Sequence, residues 1–341
     1  IRHHPCCNTV GMRHFTVAVV LLLAACGDDA AGGDPTALSV TVVAEGFDGP
    51  TQIGHDGRGG YVLAELNGGE GDGTGRVLHL ESIDAEPSVL VDGLLTPTGV
   101  VVDGDLLWIM ERRTLSVASL DDPSDRRIVL DDLAFNGRSE GTISAVDGGG
   151  ILFDTSGRRD GGELADGSGR LFFLAGPDAD PEEFAVGFKH AYAHAPLGDG
   201  RWLVTEVSDG RLDDVRPPDE LTIVERGDDF GYPRCIGDRV PVAETGGTAA
   251  DCETGPPSLA LFEAQATPTG VVVAPWDDET ALVALWVPGE IVAVPVEPGD
   301  EPHEPAVVVD TIERPQHLLV DGDRVLVTDH ESGRILALEA G

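Results

Sequence analysis

The chain has 341 residues, and its 61 acidic residues against 22 lysines and arginines give a formal net charge of -39. Because such a charge repels phosphate backbones, nucleic acids are excluded as partners. Aromatic residues make up only 5%, while 45 glycines and 23 prolines favour short strands joined by turns over helices. The acidity has two interpretations, which are solubility or adaptation to salt, and attraction of cations such as calcium.

The first feature along the chain is an export signal. Met12-Arg13-His14 precedes an apolar run from Phe15 to Leu23, which is too short for a mature transmembrane helix. The run ends in Leu23-Ala24-Ala25-Cys26-Gly27, which resembles a bacterial lipobox. That resemblance implies that Cys26 becomes the acylated first residue of the mature protein.

These signals predict the domain organisation and the location of the protein. We expect a signal peptide over residues 1–25, with 1–11 upstream of the true start, and a lipid-anchored linker over 26–37. The mature protein is then a bacterial extracytoplasmic lipoprotein whose only link to the membrane is its lipid. Gly27 favours the outer membrane or its periplasmic face, because the Asp that retains some lipoproteins in the inner membrane is absent.

From Ser39 onwards, hydrophobic runs alternate with polar turns in six repeats. The clearest turns are Thr96-Pro97-Thr98-Gly99 and Thr267-Pro268-Thr269-Gly270, each followed by three valines. Four predicted strands per repeat, at a period of roughly 40 to 60 residues, are typical of a β-propeller. The sequence therefore predicts an all-β, six-bladed propeller over residues 38–341.

The ends of this body predict how the ring closes. The chain ends on the third strand of the sixth repeat, Arg334 to Leu338, so one strand of that blade is missing. Val40 to Val43 is an unassigned strand at the other end of the body. We expect the N-terminal strand to complete the last blade, which also removes an exposed sheet edge.

The propeller topology places the candidate site. The turns that open the inner strands and the loops between second and third strands share one face. Polar side chains from all six turns lie on that face: Thr51, Gln52, Thr98, Glu140, Lys189, His190, Thr269, Gln316 and His317. The second strands bring four acids to the same end: Glu65, Glu111, Glu206 and Asp329. An acid-rich funnel over the axis is the predicted ligand site.

The fourth repeat carries the most specific residues. Gly187-Phe188-Lys189-His190 is followed by Pro217-Pro218-Asp219-Glu220-Leu221 and by Asp229-Phe230-Gly231-Tyr232-Pro233-Arg234-Cys235. This order resembles the glucose/sorbosone dehydrogenase family, which consists of six-bladed propellers that bind pyrroloquinoline quinone (PQQ). The resemblance implies a quinone-dependent oxidoreductase acting on a small sugar or aldehyde. The cofactor-binding positions that we assign are Lys189, His190, Gln265, Gln316 and His317.

Two departures from the family pattern bear on this expectation. Lys189, the only lysine of the chain, stands where the family has a quinone-contacting Arg, and pairing with Glu206 or Glu140 is the alternative interpretation. The family's catalytic His has no counterpart in the stretch 137–142, and Gln265 replaces a second family His. Glu140 is the candidate base, provided that burial and neighbouring carboxylates raise its pKa.

Relatives of this kind also bind calcium in the loop between the second and third strands of blade four. Here that loop offers Asp209, Asp213, Asp214 and Asp219. Calcium takes six to eight oxygen ligands, which acidic loops supply. Solvated loop charge is the alternative interpretation.

Cys235 and Cys252 enclose an insertion that is rich in Gly and Pro. In an exported protein we expect the two to form a disulfide, and the resembling family often has such a pair.

Two other functions stay open at this point. One is a calcium-dependent hydrolase that acts on lactones, as related six-bladed propellers do. The other is a non-catalytic propeller that binds a sugar or a partner and has lost the family's catalytic His.

Overall fold

The computed structural model describes residues 38–135, 141–208, 210–212 and 214–341. In this part of the chain, six four-stranded antiparallel sheets follow one another in sequence order. The inner strand of each sheet contacts that of the next, and the sixth contacts the first. The protein is therefore the predicted six-bladed β-propeller.

The blades take their strands in chain order. The N-terminal strand is β1 (Ser39–Glu45). Blade one contains β2 (Pro50–His55), β3 (Tyr61–Glu65), β4 (Gly75–Leu80) and β5 (Ser88–Leu94). Blade two contains β6 (Gly99–Asp103), β7 (Leu106–Glu111), β8 (Thr114–Ser119) and β9 (Arg127–Leu130), with a 3-10 turn over Pro123–Asp125. Blade three contains β10 (Ile143–Ala145), β11 (Ile151–Thr155), the hairpin β12 (Arg159–Asp160) and β13 (Glu163–Leu164), then β14 (Arg170–Leu174) and β15 (Glu182–Val186).

The second half continues the pattern with one insertion. Blade four contains β16 (Ala191–Pro196), β17 (Trp202–Glu206), β18 (Asp219–Val224), the hairpin β19 (Cys235–Ile236) and β20 (Val240–Pro241), and β21 (Ser258–Phe262). The insertion also holds a 3-10 turn (Ala243–Thr245) and the short helix α1 (Ala249–Cys252). Blade five contains β22 (Pro268–Ala274), β23 (Asp277–Leu285), β24 (Glu290–Pro295) and β25 (Ala306–Val309). Blade six contains β26 (Pro315–Asp321), β27 (Arg324–Asp329) and β28 (Arg334–Glu339).

Burial explains why the strands differ in composition. The second strands β3, β11 and β17 are buried along their whole length, because neighbouring blades cover both faces of each sheet. They accordingly read as continuous apolar runs rather than as alternating patterns. The outer strands keep one side in solvent, so residues such as Val42, Ile128 and Val307 stay exposed. The main core clusters lie between successive blades, one at each of the six interfaces.

The ring closes as the sequence predicts. Strand β1 pairs antiparallel with β28, from Ser39 opposite Glu339 to Glu45 opposite Arg334, with one bulge between Val42 and Ala44. Among the described residues, no helix has the length and apolar character needed to cross a membrane.

The insertion of blade four is fastened by the predicted disulfide between Cys235 and Cys252. The bond joins the start of hairpin β19–β20 to the end of α1. The helix begins with a capping box in which the side chains and backbone amides of Thr248 and Asp251 bond reciprocally. The disulfide therefore closes the insertion into a covalent loop, because it joins the two ends of that segment.

Reduction of this disulfide will destabilise the protein by about 3 kcal/mol, because an open loop of this length gains entropy in the unfolded chain. Chemical denaturation with and without reductant measures the change. A Cys235→Ser/Cys252→Ser double variant is the control, because reductant has no bond to break there. Equal midpoints of the wild-type protein in both conditions would contradict the prediction.

Candidate functional site

A cavity of about 510 Å³ lies on the propeller axis, at the end where the inner strands begin. Its wall consists of hydroxyl, imidazole, amide, aromatic and aliphatic groups from the opening turns and the neighbouring loops. The lining residues are Thr51, Leu66, Glu70, Thr96, Thr98, His190, Tyr192, Val207, Thr267, Thr269, Trp286, Gln316 and His330. The cavity thus occupies the place that the topology predicts for a ligand site.

Side-chain bonds between distant blades hold the inner strands around this cavity. The Gln316 amide nitrogen donates to the Tyr192 hydroxyl oxygen at 2.5 Å, which joins blades six and four. The Gln52 side chain donates to the carbonyl of Ile143 at 2.7 Å and accepts from the amides of Ile143 and Val100. Gln52 therefore ties blade one to blades two and three.

Most of the threonine hydroxyls in the turns have structural bonds. The hydroxyl of Thr51 donates to the carbonyl of Pro97 at 2.9 Å, and that of Thr269 donates to the carbonyl of Pro315 at 2.7 Å. Each bond links one blade to the next. Thr98 occupies the corresponding position in blade two, yet its buried hydroxyl has no hydrogen-bond partner within the described residues. A cavity-lining hydroxyl of this kind is a candidate ligand contact.

The four acids predicted to line the funnel have a different role. Each lies at the end of a second strand and accepts a backbone N–H from the turn that opens the same blade. The bonds run from the amide of Asp48 to Glu65 (3.0 Å), Leu95 to Glu111 (2.7 Å), Lys189 to Glu206 (2.5 Å) and Arg314 to Asp329 (2.9 Å). None of the four belongs to the cavity wall, so the prediction of an acid-rich lining was wrong for them.

A group of buried acids lies in blade four. Glu206 and Glu220 are opposite each other on β17 and β18. Burial, followed by the charge of Glu220, raises the pKa of Glu206 well above its usual range. Burial also raises the pKa of Glu220 to about 7, although the hydroxyl of Ser258 donates to its carboxylate. Asp219 accepts the backbone N–H groups of Ser208 and Thr267 at 2.8 and 2.7 Å.

One imidazole in the cavity wall has a buried carboxylate beside it. Nε2 of His190 lies 3.4 Å from Oδ2 of Asp154, with side-chain exposures of 3% and 0%. The other carboxylate oxygen of Asp154 accepts the backbone N–H of Gly141 at 2.8 Å. Burial raises the pKa of Asp154 well above its usual range. The pair belongs to two neighbouring blades, three and four.

Two further histidines near the axis are kept neutral. Burial lowers the pKa of His194 to about 3, and Ser144 lies 2.7 Å from its Nδ1. Burial, together with the charge of His194, lowers the pKa of His317 to about 3. Neither residue belongs to the cavity wall, although His317 was among the predicted cofactor contacts.

The other predicted cofactor contacts divide between the wall and the surface. His190 and Gln316 line the cavity. Lys189 is outside the wall and half-buried, and its backbone N–H bonds to Glu206. Gln265 is exposed in a turn with φ of 68° and does not belong to the cavity wall, although Thr267 does. The structure therefore brings only two of the five predicted residues together in the wall.

The remaining predicted residues are only partly described. Glu140, Asp209, Asp213 and Cys26 lie outside the described residues. Asp214 is exposed and pairs with Arg211 at 2.6 Å, whereas Asp219 is buried and bonded to backbone amides. Across the described ranges, no group of three or more His, Cys, Asp or Glu side chains is arranged to hold a metal ion. Calcium binding in this loop stays a prediction.

Sequence reasoning missed Asp154, Tyr192 and Trp286 as site residues. A signal for Asp154 was present, because it is an acid inside the otherwise apolar run Ile151-Leu152-Phe153. A buried acid in such a run needs a partner. Tyr192 in β16 and Trp286, directly after β23, carry no local signal, because ordinary core aromatics occur at such positions too.

Comparison with known proteins agrees with the fold. No protein-family model matches the chain, and no curated protein matches its sequence. An enzyme of carbohydrate-active family AA12 from Trichoderma reesei superimposes with a TM-score of 0.74 at 16% identity, covering 92% of this chain and 100% of that one. The PQQ-bound aldose sugar dehydrogenase from Streptomyces coelicolor gives 0.70 at 15% identity, covering 89% and 99%. A gluconolactonase from Xanthomonas campestris gives 0.57 at 13%, covering 89% and 90%.

These similarities confirm the predicted resemblance at the level of the fold. The chain has the six-bladed propeller of PQQ-dependent sugar dehydrogenases and AA12 enzymes, and a lactonase shares the same architecture. Because all identities are below one fifth, the likeness covers the backbone and not the side chains of the site.

The buried Glu220 will make the protein less stable as the pH rises. Its pKa is 4.5 in the unfolded chain and about 7 when folded, so its contribution is complete below 4.5 and lost as the pH rises through about 7. A Glu220→Gln variant will show a flatter dependence of unfolding free energy between pH 5 and 8, by on the order of 3 kcal/mol. Denaturant titrations across this range measure it. Glu253→Gln, at an exposed acid, is the matched control, and equal slopes in wild type and Glu220→Gln would contradict the prediction.

Proposed function

We propose that this protein is an extracytoplasmic oxidoreductase that oxidises a sugar or aldehyde in the axial cavity, with PQQ as its electron acceptor. The observation that carries the proposal is the cavity itself, which combines aromatic rings with hydrogen-bonding groups at the axis of a fold shared with sugar oxidoreductases. Ligand pockets in proteins are mostly concave and apolar with a few polar groups, and this concave cavity is more polar than that, which favours a polar ligand.

The wall offers a sugar two kinds of contact. Trp286 and Tyr192 present ring surfaces to the C–H faces of a pyranose, and Gln316 and Thr98 present polar atoms to its hydroxyls. The Trp286 ring is fixed from two sides, since the His330 ring lies at 5.0 Å and the Arg314 guanidinium at 6.0 Å. These contacts favour a small polyhydroxylated molecule over an extended apolar one.

The residues present also fit a flat, anionic quinone. The buried Thr98 hydroxyl has an unused hydrogen-bonding capacity, and Lys189 directly precedes the wall residue His190. The Arg112 guanidinium lies against Gly71, the neighbour of the wall residue Glu70, and its buried Nε has no hydrogen-bond partner among the described residues. Thr98 would bond a ring oxygen, and Lys189 and Arg112, which lie outside the wall, would add positive charge in the region of the quinone's carboxylate groups. When bound, the quinone supplies the acceptor for a hydride from the substrate.

Binding of a non-reacting sugar is the second candidate function. It is favoured by the stretch 137–142, which lacks the His that the resembling family uses as its base. Oxidation and simple binding differ in one measurable respect, because only oxidation consumes the quinone when sugar is added.

The test uses the purified full chain with calcium and PQQ, followed by aldoses, aldehydes and lactones. We expect the quinone spectrum to shift on binding at micromolar concentrations and to bleach when a substrate is added. Thr98→Val will weaken quinone or sugar binding roughly 5-fold without loss of stability, because the hydroxyl has no hydrogen-bond partner among the described residues. Thr254→Val, at an exposed threonine in the insertion, is the matched control. Absence of quinone binding would overturn the oxidoreductase proposal. Cleavage of a lactone would instead indicate a hydrolase.

We also propose that the protein is held at the membrane by a lipid on Cys26. The lipobox-like Leu23-Ala24-Ala25-Cys26 supports this proposal. In a bacterial host the wild-type protein will be found in the membrane fraction, whereas Cys26→Ser will not be acylated there. Mass spectrometry of the N-terminal peptide measures the modification. An unmodified Cys26 in the mature protein would contradict the proposal.

A further inference from the structure

Oxidation of an alcohol or hydrated aldehyde requires a base as well as a hydride acceptor. The bound quinone would accept the hydride released when the C–H bond breaks, the protein would accept the proton released when the O–H bond breaks, and a carbonyl would form. The resembling family uses a His for the proton, and the matching stretch of this chain, 137–142, contains none. We propose that His190 takes over this role from the neighbouring blade and that Asp154 positions its imidazole. The inference rests on the proposed function.

The backbone fixes His190 at the cavity wall. It is the residue directly before β16, in the opening turn of blade four. Its carbonyl accepts the backbone N–H of Val207 at 2.9 Å, and the preceding Lys189 is bonded through its amide to Glu206. The side chain is 3% exposed and forms part of the cavity lining. A ligand in the cavity would therefore contact an imidazole whose backbone has little freedom.

Asp154 is held just as firmly. It lies in the fully buried strand β11, and its Oδ1 accepts the amide of Gly141 at 2.8 Å. Gly141 makes this approach possible, because a Cβ at that position would lie 2.2 Å from the Tyr192 carbonyl oxygen and 2.6 Å from Oδ1 of Asp154. The second oxygen, Oδ2, is thereby left facing Nε2 of His190 at 3.4 Å.

The remaining surroundings favour a role in proton transfer. The Tyr192 ring meets the His190 ring edge-on at 5.1 Å between centroids, which restricts rotation of the imidazole. A carboxylate beside one ring nitrogen stabilises the imidazolium that forms when the other nitrogen takes up a proton. Burial raises the pKa of Asp154, whereas a positive charge on the adjacent imidazole would favour its ionised form. The pair is thus arranged to hold a proton released in the cavity.

The other histidines near the axis lack this combination. His194 is bonded to Ser144 and lies outside the wall. His330 lines the wall, but its Nδ1 lies 3.2 Å from the carbonyl of Pro50 and burial lowers its pKa. Among the described histidines that line the cavity, His190 is the one with a carboxylate within ion-pairing distance.

The first experiment measures turnover of the quinone-loaded protein. His190→Ala and His190→Gln will lower kcat by roughly 100-fold or more, the usual contribution of a general base, while quinone affinity changes less than 3-fold. Added imidazole will partly restore the rate of His190→Ala. His194→Gln, at a buried histidine in β16, the strand that follows His190, is the matched control and will keep its rate. Full turnover of both His190 variants would overturn the inference and leave the oxidoreductase proposal intact.

The second experiment tests the pair without turnover. Imidazole NMR of the 15N-labelled full chain, with the His190 signals identified from His190→Gln, follows the pKa of His190 with pH. In Asp154→Asn this pKa will fall by about one unit or more, because the imidazolium loses its neighbouring charge. The same variant will shift the acidic limb of the pH–rate profile upon loading with quinone. An unchanged His190 titration would overturn the role of Asp154, whether or not the protein binds PQQ.

Discussion

The pairing of β1 with β28 is the constraint on which the rest of the molecule depends. Six blades enclose an axial cavity only if the ring is closed, and this pairing supplies the missing strand of the last blade. Around the same junction, the Thr328 hydroxyl donates to the carbonyl of Thr51 at 2.7 Å, and the core cluster between blades six and one packs Ile53 against Ile335. Because the residues of the cavity wall come from blades one, two, four, five and six, an open ring would separate them.

Within the closed ring, acids at the ends of the second strands fix the turns that open the inner strands. In blades one, two, four and six they bond the backbone amides of the opening turn, so part of the large negative charge is buried structure. Blade five has Leu285 at this position, and its turn is bonded by Asp219 of blade four instead. Blade three has Thr155 there, and the acid is one residue earlier, at Asp154. Since successive side chains of a strand point to opposite faces, that shift turns Asp154 towards the neighbouring His190.

Local sequence patterns predict the architecture of the propeller but not the partners of its side chains. The number of blades and the closure follow from local patterns of apolar runs and turns, and the structure confirms them. The predicted face also carries the axial cavity. The partners of individual side chains depend on contacts far apart in sequence, such as Gln52 with Ile143 and Tyr192 with Gln316, 91 and 124 residues apart. The resemblance to a family motif placed Gln265 among the cofactor contacts, whereas its side chain is exposed in a turn outside the cavity wall.

The electrostatics of the site differ from those of the whole chain. Burial raises the pKa of Glu206 and Glu220, which favours their neutral forms, and lowers the pKa of His194 and His317, which favours neutral imidazoles. The region around the axis therefore carries much less charge than the net value of -39 suggests. In such surroundings a hydrogen bond is stronger than in water, and a single proton taken up by His190 changes the local field substantially. An uncharged, polyhydroxylated substrate suits this interior better than a cation attracted by the acidic surface. Such a substrate binds through hydrogen bonds and ring contacts, so its binding does not change the net charge of the site.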